Sequence, residues 1–405
     1  MEPEKQDVTS QNFTTSTSLA DNSSTINGND NHAIQQTGWR YRIRRLGPLT
    51  IPHYASPQIQ LLLVAFVCFL CPGMFNAVNG LGGGGQLNAT TADNANVAVY
   101  ATFSVIGFFA GTIANRLGIK LTLSLGGLGY SLYISSYLSY NHDKNEGFVV
   151  FSGAVLGVCA GMLWAAQGAI MMSYPHERNK GKYISWFWMI FNLGGLIGSL
   201  TRALNNLLYW LSQIIGAYIF GYALDVKSVR RSMRAKICWV VLFVITMAIW
   251  GGGYAWQKGY TRAETSATTY VKEDWTASGY AGPMFLYMFY GFYDAAWQTC
   301  IYWSMGALTN NGRKLANFAG FYKGIQSAGA AIIYRIDALG VPYMNEFASS
   351  WGLLAGSLLI ALPLIFMKIS DTVPIDADLV FTDETYDDVK PTIVESAPEV
   401  QHEKA

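Results

Sequence analysis

The chain has 405 residues, of which 51% are hydrophobic, 14% aromatic and only 13% charged, and its formal net charge is +1. The apolar residues come in long blocks rather than in a 3.6-residue stripe, which is typical of a helical protein that crosses a membrane several times. A net charge this close to zero gives no bulk attraction to nucleic acid, so no nucleic-acid partner is expected.

A hydrophilic segment, residues 1–57, precedes the first apolar block. Residues 1–37 are rich in Ser, Thr, Asn, Gln and Asp, and they hold too few aliphatic side chains to bury a core, so they are predicted to be disordered. The segment WRYRIRR, residues 39–45, then places four arginines just before the first span. Such a cluster favours a cytosolic amino terminus.

The first apolar block and its polar end occupy residues 57–86. Roughly twenty nearly uncharged residues are enough to cross a ~30 Å hydrocarbon layer as a helix. The block ends in Asn76, Asn79 and five glycines within residues 80–85, a backbone that should face protein or water. The glycines match GxGxxG, but a membrane-length helix stands where a nucleotide-binding fold has a short strand. A close-packed or flexible helix end and a functional gate both remain open.

Ten apolar blocks predict ten membrane spans, and hence an all-α polytopic membrane protein whose first partner is the lipid bilayer. The predicted spans are residues 59–80, 93–114, 119–140, 148–172, 183–200, 204–224, 237–256, 281–306, 315–336 and 347–369.

The connections between these spans are unequally charged. When the spans alternate through the bilayer, one side carries sixteen Lys and Arg residues and the other carries six. The excess of cations marks the cytosolic side, so both termini are predicted to be cytosolic. The glycosylation sequon at Asn88 then lies outside, and the segment 371–405 is predicted to be a solvated acidic cytosolic tail.

Two stretches carry a family resemblance. The sequence PGMFNAVNGLGGGGQ, residues 72–86, resembles the first-span signature of fungal Unc-93-like membrane proteins, a branch of the major facilitator superfamily. Residues 202–225 resemble a later segment of the same family. The resemblance implies a helical bundle of two six-helix halves that rock about a central site, transporting a small solute or ion. It also implies an alternative, because animal relatives act as a potassium-channel regulatory subunit and as a trafficking chaperone for nucleic-acid-sensing receptors.

Two basic turns are candidates for gating, because their contacts can hold the helical bundle in one conformation. The turn GTIANRLGIK, residues 111–120, resembles the major-facilitator loop motif GxxxDRxGRK, with Asn115 in place of the acid. The matching positions are Gly111, Arg116, Gly118 and Lys120. A looser copy, GYALDVKSVRR, contributes Gly221, Asp225, Arg230 and Arg231. Cations in such turns can cap helix carboxyl ends and pair with acids of neighbouring helices in one conformation. A plain positive-inside turn is the alternative interpretation.

The position of the second copy indicates a deletion. It follows the sixth predicted span, whereas the resemblance places it after the eighth helix of a twelve-helix pattern. We therefore expect helices six and seven of that pattern to be missing near residues 200–202. The chain then divides into a five-span half at residues 58–201 and a second five-span half at residues 202–370.

Polar residues within the spans are the candidates for substrate binding or ion coupling. A charge at membrane depth is costly and usually faces a cavity or a partner, which draws attention to Asp294 and Lys323 on consecutive spans. A static ion pair, and a switch coupled to substrate or proton, both remain open. The amides Asn76, Asn79, Gln298 and Gln326 can line a pathway or bond across helices.

The sequence has few residues that are suited to binding a metal or a cofactor or to catalysing a reaction. All five histidines lie outside the predicted spans, and the five cysteines lie in apolar blocks, where a thiol packs as a small hydrophobic side chain. No metal, no cofactor and no catalytic activity are expected. Transport is the leading hypothesis, and a non-transporting partner of another membrane protein is its rival.

The predicted sidedness can be tested with a tag at each terminus. In sealed vesicles whose cytosolic face points outward, added protease should remove both tags, because both ends are predicted to be cytosolic. A lumenal marker protein serves as the control for vesicle integrity. Protection of either tag would contradict the span count and the inferred deletion together.

Overall fold

The computed structural model describes residues 38–47, 49–80, 89–199, 204–267, 277 and 279–374. The candidate glycosylation site Asn88, the glycines at 82–85, the joint at 200–203 and most of both predicted tails lie outside these residues. A short hairpin, β1 (Arg44–Leu46) and β2 (Leu49–Ile51), precedes the helices and places Arg44 opposite Ile51.

The described residues form ten long helical segments, in the order of the ten predicted spans. The first segment consists of α1 (Pro57–Cys68) and α2 (Met74–Gly80), joined by a π-helical turn at Phe69–Gly73. The others are α3 (Ala89–Leu117), α4 (Ile119–Asp143), α5 (Glu146–Ser173), α6 (Lys180–Ser199), α7 (Leu204–Leu224), α8 (Arg231–Gln257), α10 (Ala281–Leu308), α11 (Gly312–Ala338) and α12 (Tyr343–Met367), with a short α9 (Arg262–Ser266) before α10.

Six of these segments are long and apolar enough to cross a membrane by length and composition alone. They are Pro57–Asn79, Thr90–Leu117, Glu146–Ser173, Leu204–Leu224, Arg231–Gln257 and Tyr343–Met367. The remaining four, α4, α6, α10 and α11, have 20 to 28 residues each but do not meet the same measure. The protein is an all-α polytopic membrane protein, and the remaining four helices include the two that carry Asp294 and Lys323.

The most extensive contact, between α3 and α11, joins helices that are far apart in sequence. Helix α11 also packs against α5, and α6 packs against the next helix, α7. At Gly107 of α3, an added Cβ would lie 2.6 Å from the Cα of Gly324 on α11, so the two backbones touch there. Such small-residue contacts are the usual means of joining helices in lipid, where no hydrophobic effect drives them together.

The cysteines differ in part from the sequence-based expectation. Cys238 on α8 and Cys300 on α10 form a disulfide, whereas all five cysteines were expected to pack as free thiols. Cys68, Cys71 and Cys159 are free. Residues 62 positions apart gave no spacing signal that could have predicted the pair.

The contact between α3 and α11 can be tested by adding one methyl group. Gly107→Ala should lower the melting temperature of the purified protein, because the new Cβ meets the α11 backbone and overpacking costs about 1–3 kcal/mol. Gly127→Ala is the matched control, since the nearest neighbour of its Cβ would be 3.9 Å away. Equal melting temperatures for the two variants would contradict the close approach.

Candidate functional site

A cavity of about 290 Å³ lies between the helices of the two predicted halves. Five of the six predicted substrate or coupling residues line it, namely Asn76, Asp294, Gln298, Lys323 and Gln326. They come from α2, α10 and α11, so residues far apart in sequence meet in one place. Asn79 is different: it is not among the lining residues, and its side-chain amide donates to Asn96 Oδ1 on α3 at 3.0 Å.

Lys323 holds the positive charge of this cavity. Its side chain is only 7% exposed, and Nζ donates to Gln326 Oε1 at 2.8 Å and to Gln298 Oε1 at 3.3 Å. The ammonium also lies 4.3 Å from the ring centroid of Trp164 and 5.5 Å from that of Trp188. Amide oxygens and aromatic faces both stabilise a desolvated cation.

Asp294 lines the same cavity, but it does not form the ion pair that the sequence left open. No carboxylate oxygen of Asp294 lies within 4.0 Å of Lys323 Nζ among the described residues. Gln298 lies one helical turn after Asp294 on α10, and its Oε1 also accepts from the Tyr322 hydroxyl at 3.1 Å. The site therefore holds one cation and one anion that are not in direct contact.

Several aromatic residues around the ammonium were not predicted from the sequence. Trp188 on α6 lines the cavity and is 3% exposed, and its Nε1 has no hydrogen-bond partner among the described residues. The rings of Tyr302 and Tyr322 lie 5.8 and 5.4 Å from Lys323 Nζ. Aromatic residues are so frequent in this chain that these three carried no distinguishing signal; only the packing of α6, α10 and α11 brings them together.

The second loop-motif copy caps a helix. Asp225, directly after α7, accepts hydrogen bonds from the backbone N–H groups of Gly181 at 3.0 Å and Lys182 at 2.7 Å, in the first turn of α6. Burial raises the pKa of the Asp225 carboxyl, although these hydrogen bonds and the Arg234 charge oppose the shift. Gly221 allows the approach, because a Cβ there would meet the Gly181 carbonyl oxygen at 2.7 Å. The carboxylate lies at the positive end of the α6 dipole.

The first copy makes an equivalent but weaker contact. Gly111 lets α3 touch α11, since a Cβ there would lie 2.5 Å from Asn317 Cα. The Asn115 amide donates to the Arg313 carbonyl at 3.3 Å, at the start of α11. Gly118, the N-cap residue before α4, has a φ of +79°, and Arg116 and Lys120 are exposed. Each copy thus joins a helix of one predicted half to the first turn of a helix of the other.

A third connection, which we call the loop-end network, consists of Glu177, Lys180, Arg231 and Asn310. Arg231 Nη1 lies 3.1 Å from Glu177 Oε2, and its Nη2 donates to the Ala307 carbonyl. Lys180 Nζ donates to the Gly306 carbonyl at 2.6 Å and to Asn310 Oδ1 at 2.8 Å. The network joins the three connections that lead from α5 to α6, from α7 to α8 and from α10 to α11.

The charges of this network shift the ionisation of its acid. Burial alone would raise the pKa of Glu177, but the hydrogen bond from Asn310 and the charges of Arg231 and Lys180 outweigh it and lower that pKa. Arg231 is 5% exposed, whereas its neighbour Arg230, the residue before α8, is exposed. Of the two predicted loop arginines, Arg231 is the one placed in this network.

Comparison with known proteins identifies the family. An UNC93-like protein of Schizosaccharomyces pombe is 41% identical over 84% of this chain and 88% of its own length. The chain belongs to the UNC93-like family. UNC93-like protein 1 of Arabidopsis thaliana is 34% identical over 78% of the chain and 92% of that relative, and a model of the Major Facilitator Superfamily matches residues 30–199. No solved structure matches.

A fourth likeness is shorter. A segment covering 25% of this UNC93-like chain is 32% identical to 23% of the proton-coupled antiporter flippase LtaA of Staphylococcus epidermidis. The fungal and plant relatives also contain residues that this chain lacks. The alignment to the S. pombe protein runs over 443 positions, but 84% of 405 residues is about 340, so about 100 positions have no counterpart here. The superfamily match ends at residue 199, next to the joint where the deletion was inferred.

The loop-end network can be tested by a double-mutant cycle. Glu177→Gln and Arg231→Met should each lower the melting temperature, because each leaves a largely buried charged or polar partner behind, at a cost of about 1–3 kcal/mol. The double variant should lose less than the sum of the two.

The same cycle predicts a pH dependence. The lowered pKa of Glu177 means that its contribution is fully present above its ordinary pKa of 4.5 and is lost as the pH falls through the lower folded value. The coupling between the two variants should therefore disappear in that acidic range. Asp143→Asn, at an exposed acid, is the control, and additive melting-temperature losses at neutral pH would contradict the contact.

Proposed function

We propose that this protein moves a small solute or ion across a membrane by alternating access, with the central cavity as its binding site. The observation that carries the proposal is the placement of Lys323 and Asp294, which line one cavity between helices of both predicted halves. Ionisable residues at membrane depth are costly and are typical of substrate and ion pathways. The shorter likeness to a protein named as a proton-coupled antiporter flippase agrees with this class of function.

The contacts at the loop ends support a rocking mechanism. Asp225, Asn115 and the loop-end network each join the half proposed at residues 58–201 to the half at 202–370, and all three lie at the end proposed to be cytosolic. Polar contacts between rigid bundles can be exchanged without repacking the interior of either bundle. Breaking them would open the cavity toward the cytosol, and the glycine contacts between α3 and α11 would serve as the sliding surface.

A second candidate function is that of a non-transporting partner of another membrane protein. A further cavity of about 550 Å³ lies among α8, α10, α11 and α12 and is lined by aromatic residues such as Trp250, Tyr290 and Phe347. In the first half, α1 and the π-helical turn pack against α4, α5 and α6. On the proposed repeat, this further cavity occupies the equivalent place in the second half, and its aromatic wall would receive apolar side chains of a partner's helix.

The two functions predict different effects of the same variants. With transport, Asp294→Asn and Lys323→Met should each abolish the change in cellular solute content that the wild-type protein causes, measured by mass spectrometry of whole-cell extracts at equal protein levels in the membrane. Lys368→Met, at an exposed cation outside the cavity, should leave the change intact. If the variants alter only the location of another membrane protein, the partner function is favoured and transport is contradicted.

A further inference from the structure

The central cavity is lined by one acidic and one basic side chain that are not in direct contact. Lys323 on α11 and Asp294 on α10 both line it, and no ion pair joins them among the described residues. Charges removed from water are costly unless each has an oppositely charged or strongly polar partner. A ligand that carries one negative and one positive group would supply a partner to both residues at once.

The positive side of the cavity can receive a carboxylate. An ammonium has three N–H donors, and two acceptors of Lys323, the Oε1 atoms of Gln298 and Gln326, are identified. The indole N–H of Trp188 belongs to a side chain that lines the cavity and is 3% exposed, and it has no partner among the described residues. A carboxylate has two oxygens that accept hydrogen bonds, so the Lys323 ammonium and the Trp188 indole N–H can each donate to one of them.

The negative side can receive an ammonium group. The Asp294 carboxylate only accepts hydrogen bonds when ionised, and the same cavity wall includes the amide side chains of Gln298 and Asn76. A purely anionic ligand would satisfy Lys323 and face repulsion from Asp294. A purely cationic ligand would satisfy Asp294 and face repulsion from Lys323.

The rest of the cavity limits the size and character of the ligand. Its volume of about 290 Å³ is at the lower end of the range for small-molecule sites. Its remaining wall is mostly apolar and aromatic, with Phe75, Phe103, Tyr130, Leu156 and Phe191. This space suits a single amino-acid-sized compound with an apolar or aromatic side chain and excludes a lipid or a long peptide.

We propose that the central cavity binds a zwitterion of amino-acid size, with its carboxylate at Lys323 and Trp188 and its ammonium at Asp294. This inference rests on the proposed function, because it uses the same cavity as the binding site. The apolar side chain of the ligand packs against the phenylalanines of the wall.

The test uses three compounds that share one side chain and differ in charge. L-phenylalanine carries both charges, phenethylamine lacks the carboxylate, and 3-phenylpropionate lacks the ammonium. Binding to the purified full-length protein is measured by calorimetry. L-phenylalanine should bind at least about tenfold more tightly than either analogue, since one charged hydrogen-bonded contact is worth about that factor.

Two variants assign the two ends of the ligand. In Asp294→Asn, L-phenylalanine and 3-phenylpropionate should bind about equally, because the ammonium has lost its partner. In Lys323→Met, L-phenylalanine and phenethylamine should bind about equally. The controls Asp143→Asn and Lys368→Met remove exposed charges outside the cavity and should keep the wild-type selectivity.

The outcomes separate this inference from the proposed function. If either singly charged analogue binds as tightly as L-phenylalanine, or if the wild-type protein binds neither L-phenylalanine nor L-leucine, the zwitterion site is wrong. If proteoliposomes take up 3-phenylpropionate but no amino acid, transport stands and the zwitterion site falls. If L-phenylalanine binds with the expected selectivity but is not transported, the site stands and transport falls.

Discussion

The direct contact between the backbones of α3 and α11 places Lys323, a candidate site residue, in the wall of the central cavity. Gly107 and Gly324 touch, and Lys323 is the residue immediately before Gly324. A larger side chain at either glycine would move α11 outward and carry the ammonium with it. In lipid, where apolar surface gains nothing by leaving the solvent, such small-residue contacts and polar bonds hold the helices together. The same glycine contact therefore fixes both the packing of α3 against α11 and the position of the Lys323 ammonium.

Much of the fold could be predicted because the membrane imposes strong rules on sequence. Long apolar blocks gave the ten helical segments in the right order, and the cost of a buried charge singled out Asp294 and Lys323. The relation between these two residues could not be predicted, because it depends on the side chains of other helices. Gln298 and Gln326 accept from the ammonium, and Trp164 and Trp188 cover it. Nothing in the local sequence of α5 or α6 links those tryptophans to α11.

The two loop-motif copies differ in one residue that faces the start of a neighbouring helix: the second copy has Asp225 where the first has Asn115. Asp225 accepts two backbone hydrogen bonds at the start of α6, as the N-terminus of a helix favours. Asn115, at the equivalent place near α11, donates to a carbonyl instead and carries no charge to oppose the α11 dipole. The interface between α6 and α7 is therefore held electrostatically at its end, whereas the interface between α3 and α11 relies on glycine contacts. The second of these interfaces carries Lys323.

The π-helical turn at Phe69–Gly73 has a consequence for the first span. A π-helical turn accommodates about one more residue than an α-helical turn, so it sets every later side chain back by about 100° around the helix axis. Without that rotation, the face of α2 that bears Phe75 and Asn76 would be turned away from the cavity. The π-helical turn therefore sets the orientation of α2 around the helix axis separately from that of α1.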